Sequence, residues 1–221
     1  MAEPSSRSSA TASLPRRSPQ KALLTCDTAA TEAERCAHMR IRHQVFVIEQ
    51  GLFGGACGGT GGDDTDVHDD DPATIHVIGR ADETICGTVR LYPIGPGGRW
   101  KGDRLAVLAG YRHLGLGAPL VRFAVGSAAR FGGREMEAFI QPANVAFFRW
   151  LGWRRAGGLV DYAGIPHQRM LIDLIDLIDL IDRIDRIDRI DVNDQNGTLT
   201  ACARMAVISV RAVAVSGRCR A

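Results

Sequence analysis

The chain has 221 residues, which suits a single domain with tails and leaves too little length for two full-sized domains. Hydrophobic residues make up 45% of it and charged residues 24%, so we expect a packed core, and global disorder is excluded. The net charge of +2 gives no general attraction for nucleic acid or membranes. No apolar run reaches the roughly 20 residues that cross a bilayer, so we expect neither kind of partner.

The first 21 residues are rich in Ser, Pro, Arg and Ala and show no apolar periodicity, which predicts a disordered leader over residues 1–21. No apolar segment of a secretory signal follows the N-terminus. None of the six cysteines forms a Cys-x-x-Cys pair. These features predict a cytoplasmic protein with free thiols and without a zinc site.

The first predicted element is a helix over residues 32–47. Thr31 and Glu34 form a capping-box pattern, and apolar residues then recur at helical spacing. Seven glycines follow in residues 51–62, and six aspartates lie in residues 63–71, the acidic segment. The aspartates lack the glycine and the distal glutamate of a calcium-binding loop. We expect a long, solvated loop here; recognition of a cationic acceptor such as a polyamine is the alternative.

The middle of the chain alternates short β-branched runs with helical patterns, which predicts an α/β fold. The order of elements from residue 32 is α, β, β, β, α, β, α, β, β. The predicted strands are 74–81, 84–93, 104–108, 135–141, 154–160 and 167–172. Two more helices are predicted, one over 117–130 and a short one that Asn144 caps and that ends at Leu151.

A tripeptide repeat begins within the last predicted strand. Residues 171–191 consist of Leu-Ile-Asp four times and Arg-Ile-Asp three times. A period of three places the aspartates on every face of a helix and on both faces of a strand, so no apolar face forms. We therefore predict a folded domain over residues 22–173, an unpacked repeat over 174–191 and a poorly packed tail over 192–221. Slippage on a nine-base DNA unit is our interpretation of the repeat.

The motif with the clearest chemistry lies between the third predicted strand and the helix 117–130. It reads Arg112-x-x-Gly115-x-Gly117. A glycine loop at a helix N-terminus offers unpaired backbone N–H groups and the positive end of the helix dipole to a phosphate. The loop lacks the Gly-Lys-Ser/Thr ending of a nucleotide-triphosphate loop and the spacing of a dinucleotide-binding fold. Taken alone, it fits a pyrophosphate site and a simple tight turn equally well.

Four motifs in the same order resemble the GCN5-related N-acetyltransferase (GNAT) superfamily. The glycine loop looks like its acyl-CoA pyrophosphate loop, and Asn144–Trp153 looks like its N…FY…LGF segment. Arg42–Gln50 is similar to the R..VFV.EQ helix of one acetyltransferase branch, and Gly164–Met170 is similar to the G.PH..M strand of that branch. The resemblance covers about residues 31–173. It implies a mixed, mostly antiparallel central sheet flanked by helices, whose splayed central strands bind acyl-CoA.

The resemblance implies an N-acetyltransferase (EC 2.3.1.-) that transfers an acetyl or other acyl group from acetyl-CoA to an amine by direct attack. Acetyl-CoA is then the co-substrate, and no metal is implied. The acceptor is a small-molecule amine or a peptide, and the protein is a monomer or a homodimer. The residues implied in cofactor binding are Leu105, Ala106 and Val107 for the pantetheine arm, Arg112, His113, Leu114, Gly115, Leu116, Gly117 and Ala118 for the pyrophosphate, and Asn144 near the thiol.

Direct attack requires a base that removes a proton from the amine and a donor that protonates the departing thiolate. Glu49, at the end of the first helix, and Asp103, at the start of the third predicted strand, are the expected bases. His76 and His167 are further candidates. The family often has a tyrosine as the acid where this chain has Phe148, so we expect another donor or water to protonate the sulfur.

Two other functions fit parts of the same pattern. Arg42, Phe46, the acidic segment and Gly87–Pro93 also resemble the acyl-homoserine lactone synthases, which use acyl carrier protein and S-adenosylmethionine. The tryptophan that those enzymes have after the phenylalanine is missing, and the glycine loop favours a CoA thioester. The third function is a non-catalytic acyl-CoA-binding module, which Phe148 and the unusual tail favour.

Overall fold

A seven-stranded sheet organises the protein. The computed structural model describes residues 22–53, 63–162 and 164–175. The strands pair in the order β1-β2-β3-β4-β5-β7-β6, and each pair is antiparallel except β4 with β5. They are β1 (Leu24–Thr28), β2 (Ile75–Ala81), β3 (Thr84–Pro93), β4 (Arg99–Val107), β5 (Glu135–Ile140), β6 (Arg154–Tyr162) and β7 (Ile165–Asp173). This architecture confirms the predicted mixed, mostly antiparallel α/β fold.

Within the described ranges, three α-helices flank the sheet: α1 (Glu32–Arg42), α2 (Gly117–Arg130) and α3 (Val145–Trp150). The helix α1 continues directly into a π-helical segment, His43–Glu49, so the predicted first helix changes its hydrogen-bond spacing after Arg42. The predicted capping box forms, because the Thr31 hydroxyl accepts a hydrogen bond from the Glu34 N–H and the Glu34 carboxylate accepts one from the Thr31 N–H. The helix α2 has its predicted bounds.

Two strands differ from the sequence prediction. The strand β1 has no predicted counterpart, since five residues are too few for a clear periodic pattern; it forms by pairing antiparallel with β2 at the edge of the sheet. The strand β4 begins at Arg99, five residues before the predicted strand, because it pairs there with both β3 and β5. In both cases the partner strand, and not the local sequence, decides where the strand lies.

The helix α2 packs directly against β2 and β3 at two glycines. A Cβ atom on Gly87 would lie 2.8 Å from Cδ1 of Leu120, and one on Gly79 would lie 3.1 Å from Cδ2 of Leu116. Both leucines are buried in the main core. Because the two glycines have no side chains, the first turns of α2 lie close to the sheet, next to the glycine loop that precedes the helix.

The core extends one residue past the predicted end of the domain. Leu174, which was assigned to the unpacked repeat, is fully buried in the main core, and its N–H donates to the Arg134 carbonyl oxygen. The remaining parts of the leader, repeat and tail predictions, residues 1–21 and 176–221, lie outside the described residues. In the described part of the chain, no helix is both long and apolar enough to cross a membrane.

Candidate active site

The central strands β4 and β5 separate part-way along their length. They pair at only three positions, Arg99 with Glu135, Trp100 with Met136 and Lys101 with Glu137. Beyond these pairs, β4 continues to Val107 and β5 to Ile140 without pairing to each other. A cavity of about 140 Å³ lies where the strands diverge. The backbone of this part of β4 is therefore available on its β5 side for an extended ligand.

The wall of this cavity combines apolar and polar side chains. Those from β5, α2 and the region around α3 are mainly apolar: Val121, Ala124, Met136, Ala138, Ile140, Phe148 and Trp153. The polar ones come mainly from β4, the β6–β7 hairpin and the segments next to the helices: Gln50, Lys101, Asp103, Arg104, Gln141, Asn144, Tyr162 and His167. The cavity can thus take an apolar group and also offers groups that bind or move protons.

The strand β4 bends at a bulge beside the cavity. The register of β3 with β4 shifts between Thr88 and Arg90. Arg104 has a φ of 53°, a left-handed conformation that is uncommon for a residue with a side chain. Its guanidinium donates to the Asp64 carbonyl oxygen at 3.1 Å and to the Tyr162 hydroxyl at 3.2 Å. Buried contacts therefore hold the strained residue in place at the cavity.

The glycine loop forms a short 3₁₀ helix that leads into α2. Residues Ala109–Leu114 are 3₁₀-helical, and Gly115 has a φ of 79°, which glycine adopts without a steric penalty. A Cβ atom on Gly115 would meet nothing within 4 Å, so the loop faces open space here. No side chain among the described residues caps the N-terminus of α2 at Gly117. Its first N–H groups are therefore free to bind an anion.

The residues predicted to hold the pyrophosphate differ in what they can offer. Arg112 and His113 are exposed, whereas Leu114 is half-buried. Leu116 and Ala118 are buried, so they can contact a ligand only through their backbone. The N–H of Gly115 donates to the Arg112 carbonyl oxygen within the turn.

Glu49 and Arg112, predicted as a base and a phosphate ligand, bind each other. Nη2 of Arg112 lies 2.7 Å from Oε2 of Glu49, and Nε of Arg112 donates to the Val107 carbonyl oxygen at 2.9 Å. The hydrogen bond from Arg112 lowers the pKa of Glu49, which makes this carboxylate a weaker proton acceptor. Both side chains are more than a third exposed, so the pair is weak and a phosphate can compete for Arg112.

The acidic segment is only in part the solvated loop that was predicted: Asp63, Asp70 and Asp71 are exposed, but the other three aspartates are not. Asp64 and Asp69 are 2% and 4% exposed. Arg42, which is fully buried, donates to Oδ2 of Asp64 at 2.7 Å and also binds Asp69. Arg90, also fully buried, binds Asp69 and Asp66 at 2.7 Å each. The prediction is wrong for these three aspartates, because the sequence shows the acidic run but not the arginines of α1 and β3 that neutralise it.

This cluster, the buried ion network, includes seven charged side chains: Arg42, Asp64, Asp66, Asp69, Arg90, Asp103 and Arg104. Burial raises the pKa of Asp69, but hydrogen bonds and charge from Arg42 more than reverse this, and the pKa lies well below its usual range. Among the described residues, no group of three His, Cys, Asp or Glu is arranged to hold a metal ion. The carboxylates of the network form ion pairs with the guanidinium groups.

Asp103, the second predicted base, lies in the cavity wall but belongs to this network. Its Oδ1 accepts a hydrogen bond from Nε of Arg90, and its Oδ2 accepts one from Nη2, both at 2.8 Å. The Tyr92 hydroxyl donates to the same Oδ2 at 3.4 Å. Both oxygens are thus occupied by charged or polar donors, which favours a positioning role over proton transfer.

His167, the other histidine in the cavity wall, has a free ring nitrogen. The side chain is 6% exposed, and Nδ1 lies 2.8 Å from the Ile165 carbonyl oxygen. In the neutral ring this contact places the proton on Nδ1, so Nε2 carries the lone pair. Nε2 has no hydrogen-bond partner within the described ranges. Tyr162 lies edge-on to the same ring, with 5.4 Å between the ring centroids.

Asn144 and Phe148 mark the α3 side of the cavity. Asn144 is the N-cap residue of α3, as predicted, but its side chain makes no capping hydrogen bond, and Pro142–Asn144 forms a 3₁₀ turn before the helix. The amide of Asn144 therefore remains available to a ligand. Phe148 is buried, with its ring edge-on to Phe147 and Trp153.

His76, a further candidate base, belongs to a buried histidine pair outside the cavity wall. His38 and His76 are fully or almost fully buried, and their rings meet edge-on at 4.9 Å. Burial, followed by the charges of His76 and Arg42, lowers the pKa of His38 to about 3. Burial, followed by the charge of Arg35, also lowers the pKa of His76. Burial therefore favours the neutral form of both rings.

We expect the free energy of unfolding to fall as the pH drops below about 6.5. In the unfolded chain each histidine takes up a proton near that pH, whereas burial in the folded protein holds the pKa of His38 and of His76 below it. Each such histidine contributes a slope of up to about 1.4 kcal/mol per pH unit. Urea unfolding at pH 7.5, 6 and 5 measures the slope. His38→Gln should flatten it, and His43→Gln, at an exposed position, should not; an unchanged slope in His38→Gln would contradict the expectation.

The diverging central strands, the uncapped helix after a glycine loop and the adjoining cavity together define an acyltransferase fold. The family model described as the acetyltransferase (GNAT) family matches residues 43–153, which is half of the chain. The chain belongs to this family, as the four sequence motifs predicted. It is a GNAT acyltransferase, and acyl-CoA is the co-substrate of that family. No curated protein matches it.

Solved structures share the fold. A protein from Lactobacillus plantarum assigned as an N-acetyltransferase has a TM-score of 0.59 and 24% identity, and the match covers 69% of this chain and 99% of that one. ElaA from Escherichia coli has a TM-score of 0.56 and 17% identity, and that match covers 69% of this chain and 99% of ElaA. BjaI, a CoA-dependent acyl-homoserine lactone synthase solved with SAM and isopentyl-CoA, has a TM-score of 0.56 and 18% identity. That match covers 85% of this chain and 99% of BjaI. At these identities the likeness shows the fold alone.

Proposed function

We propose that this protein transfers an acyl group from acyl-CoA to the amine of a small molecule or peptide, by direct attack of the amine on the thioester. The observation that carries the proposal is the continuous arrangement of the glycine loop, the unpaired part of β4 and the cavity between β4 and β5. Acetyl-CoA is the donor that the sequence motifs implied and the first to test.

The path of the cofactor follows from the groups that are free to bind it. The first N–H groups of α2 and the exposed Arg112 side chain bind the pyrophosphate. To do so, Arg112 exchanges Glu49 for a phosphate oxygen. The pantetheine arm then lies along the backbone of Leu105–Val107, and the thioester reaches the cavity at the bulge beside Arg104.

His167 is the base that the geometry supports best. Nε2 is free to take the proton as the amine nitrogen bonds to the thioester carbon, whereas Glu49 and Asp103 are each held by an arginine. The C–S bond then breaks, and the thiolate of CoA needs a proton. Tyr162 supplies a hydroxyl in the cavity wall, and because that hydroxyl accepts a hydrogen bond from Arg104, its own proton remains available. Phe148 has no proton to give.

His167→Asn tests this assignment. Asparagine can still donate a hydrogen bond but cannot act as the base, so we expect kcat to fall about 10²–10⁴-fold while the KM for acyl-CoA changes little. The rate at which free thiol is released from acetyl-CoA measures kcat. Polyamines, amino acids and peptide amines are each tried as the acceptor. Tyr162→Phe should lower kcat with a shifted alkaline limb of the pH profile. A His167→Asn variant with unchanged kcat would remove His167 from this role.

A second candidate is an enzyme like the acyl-homoserine lactone synthases. The observation in its favour is that Arg42, Arg90 and the acidic segment, which carry that resemblance, are assembled into the buried ion network. A thermal-shift assay with S-adenosylmethionine separates the two functions, since only this second candidate requires that ligand to bind. Binding of acyl-CoA without turnover of any amine would favour the non-catalytic binding module.

A further inference from the structure

We propose that the cavity between β4 and β5 binds an acyl chain of about six carbons, so that the preferred thioester carries an acyl group longer than acetyl. The inference rests on the proposed function, because it assigns the acyl end of the same acyl-CoA site. It draws on the volume of the cavity, the chemistry of its wall and the small residues that keep it open.

The cavity is larger than an acetyl group requires. Its volume is about 140 Å³. An engineered protein cavity of about 150 Å³, lined by apolar side chains, binds benzene, a molecule of six carbons. An acetyl group would place only one methyl group against the apolar β5 and α2 side of the cavity, and side chains that face a void lose the dispersion contacts of a packed interior. The volume therefore favours a longer chain.

The wall on the β5 and α2 sides is suited to hydrocarbon. It is formed by Val121 and Ala124 from α2 and by Met136, Ala138 and Ile140 from β5. All five side chains are buried, and none offers a hydrogen bond to water. An acyl chain that lies against this side removes apolar surface from water, while the polar side chains of the wall come mainly from β4 and the β6–β7 hairpin.

Three small residues keep the cavity open. Gly102 of β4 faces Met136, and a Cβ atom there would lie only 2.6 Å from the Met136 Cε. Ala124 and Ala138 are 1% and 4% exposed, so a larger side chain at either position would have to grow into the cavity. The flexible Met136 side chain can adjust to the end of a chain. These positions therefore set the acyl length that fits.

Calorimetric titration of the full chain with CoA, acetyl-CoA and hexanoyl-CoA tests the inference. Each buried methylene strengthens binding by about fourfold until the cavity is filled, so we expect hexanoyl-CoA to bind at least about tenfold more tightly than acetyl-CoA. Equal affinities for the two thioesters would overturn the inference while leaving the proposed function intact. If none of the three ligands binds, the proposed function itself fails.

Variants locate the effect. Ala138→Leu should reduce the advantage of hexanoyl-CoA to less than about twofold, because it fills the space that the chain occupies, and should weaken acetyl-CoA binding much less than hexanoyl-CoA binding. Gly126→Ala, on α2 with no atom within 4 Å, is the control and should keep the full advantage. If circular dichroism shows that Ala138→Leu does not fold, Ala124→Val replaces it, because it adds less volume. It should also reduce the affinity advantage of hexanoyl-CoA over acetyl-CoA. A folded cavity-filling variant that keeps the full advantage would overturn the inference.

Discussion

Replacing Arg42 by methionine is expected to lower the free energy of unfolding by about 3–5 kcal/mol. Arg42 is fully buried and neutralises two buried carboxylates, Asp64 and Asp69. Methionine keeps most of the apolar stem but removes the charge, so a carboxylate is left without its donor in the protein interior. In the variant, Asp69 still forms an ion pair with Arg90, whereas the remaining ion pair of Asp64, with Arg104, is longer at 3.5 Å. Asp64 therefore loses more of its charge neutralisation than Asp69 does. Urea unfolding followed by circular dichroism measures the change.

Arg80→Met is the matched control for this experiment. Arg80 pairs with Glu34 at the same 2.7 Å, but the two side chains are 24% and 23% exposed. Water already screens such a pair, so its loss should cost less than about 1 kcal/mol. If Arg42→Met costs no more than Arg80→Met, burial does not distinguish the two pairs and the account of the ion network fails.

Replacing Gly115 by glutamate is expected to weaken CoA binding by well over tenfold, or more than about 1.4 kcal/mol. Gly115 lies in open space next to the uncapped N-terminus of α2. A carboxylate there would be attracted by the helix dipole and would occupy the place of the phosphate. Calorimetric titration with CoA measures the loss of affinity.

Gly115→Asn separates charge from backbone strain. The φ of 79° penalises any side chain, but asparagine tolerates the left-handed region better than most residues and is neutral. We expect this variant to fold and to bind CoA much more tightly than Gly115→Glu does. Wild-type affinity in a folded Gly115→Glu variant would contradict a pyrophosphate site at this loop.

The local sequence was sufficient to predict the elements that carry their own signals. The bounds of α2 follow from a helical pattern closed by Gly132 and Gly133, and the capping box at Thr31 forms because both of its partners lie within one turn. The glycine loop was also recognisable, since the left-handed turn at Gly115 depends on a residue type. The order of such motifs was enough to predict the family.

The roles of the charged residues depended on contacts between distant parts of the chain. Arg42 and Asp69 are 27 residues apart, and Glu49 and Arg112 are 63 apart. The sequence alone predicts that a carboxylate in an acidic run is solvated and that Glu49 at a helix end is a free base. The arginine partners that change both predictions are known only from the structure. For His167 the ring contact is local, since Nδ1 lies near the carbonyl oxygen of Ile165 two residues away, and only its place in the cavity wall depends on distant elements.

The sequence by itself therefore determined the mixed α/β class, the glycine loop and the position of α2, because hydrophobic periodicity, helix caps and glycine conformations are properties of a few neighbouring residues. Only the tertiary structure decided that Asp64 and Asp69 of the acidic segment are buried, that Leu174 completes the core and that β4 and β5 part around a cavity. These outcomes depend on burial and charge pairing, and both are set by which surfaces meet when the strands and helices pack together.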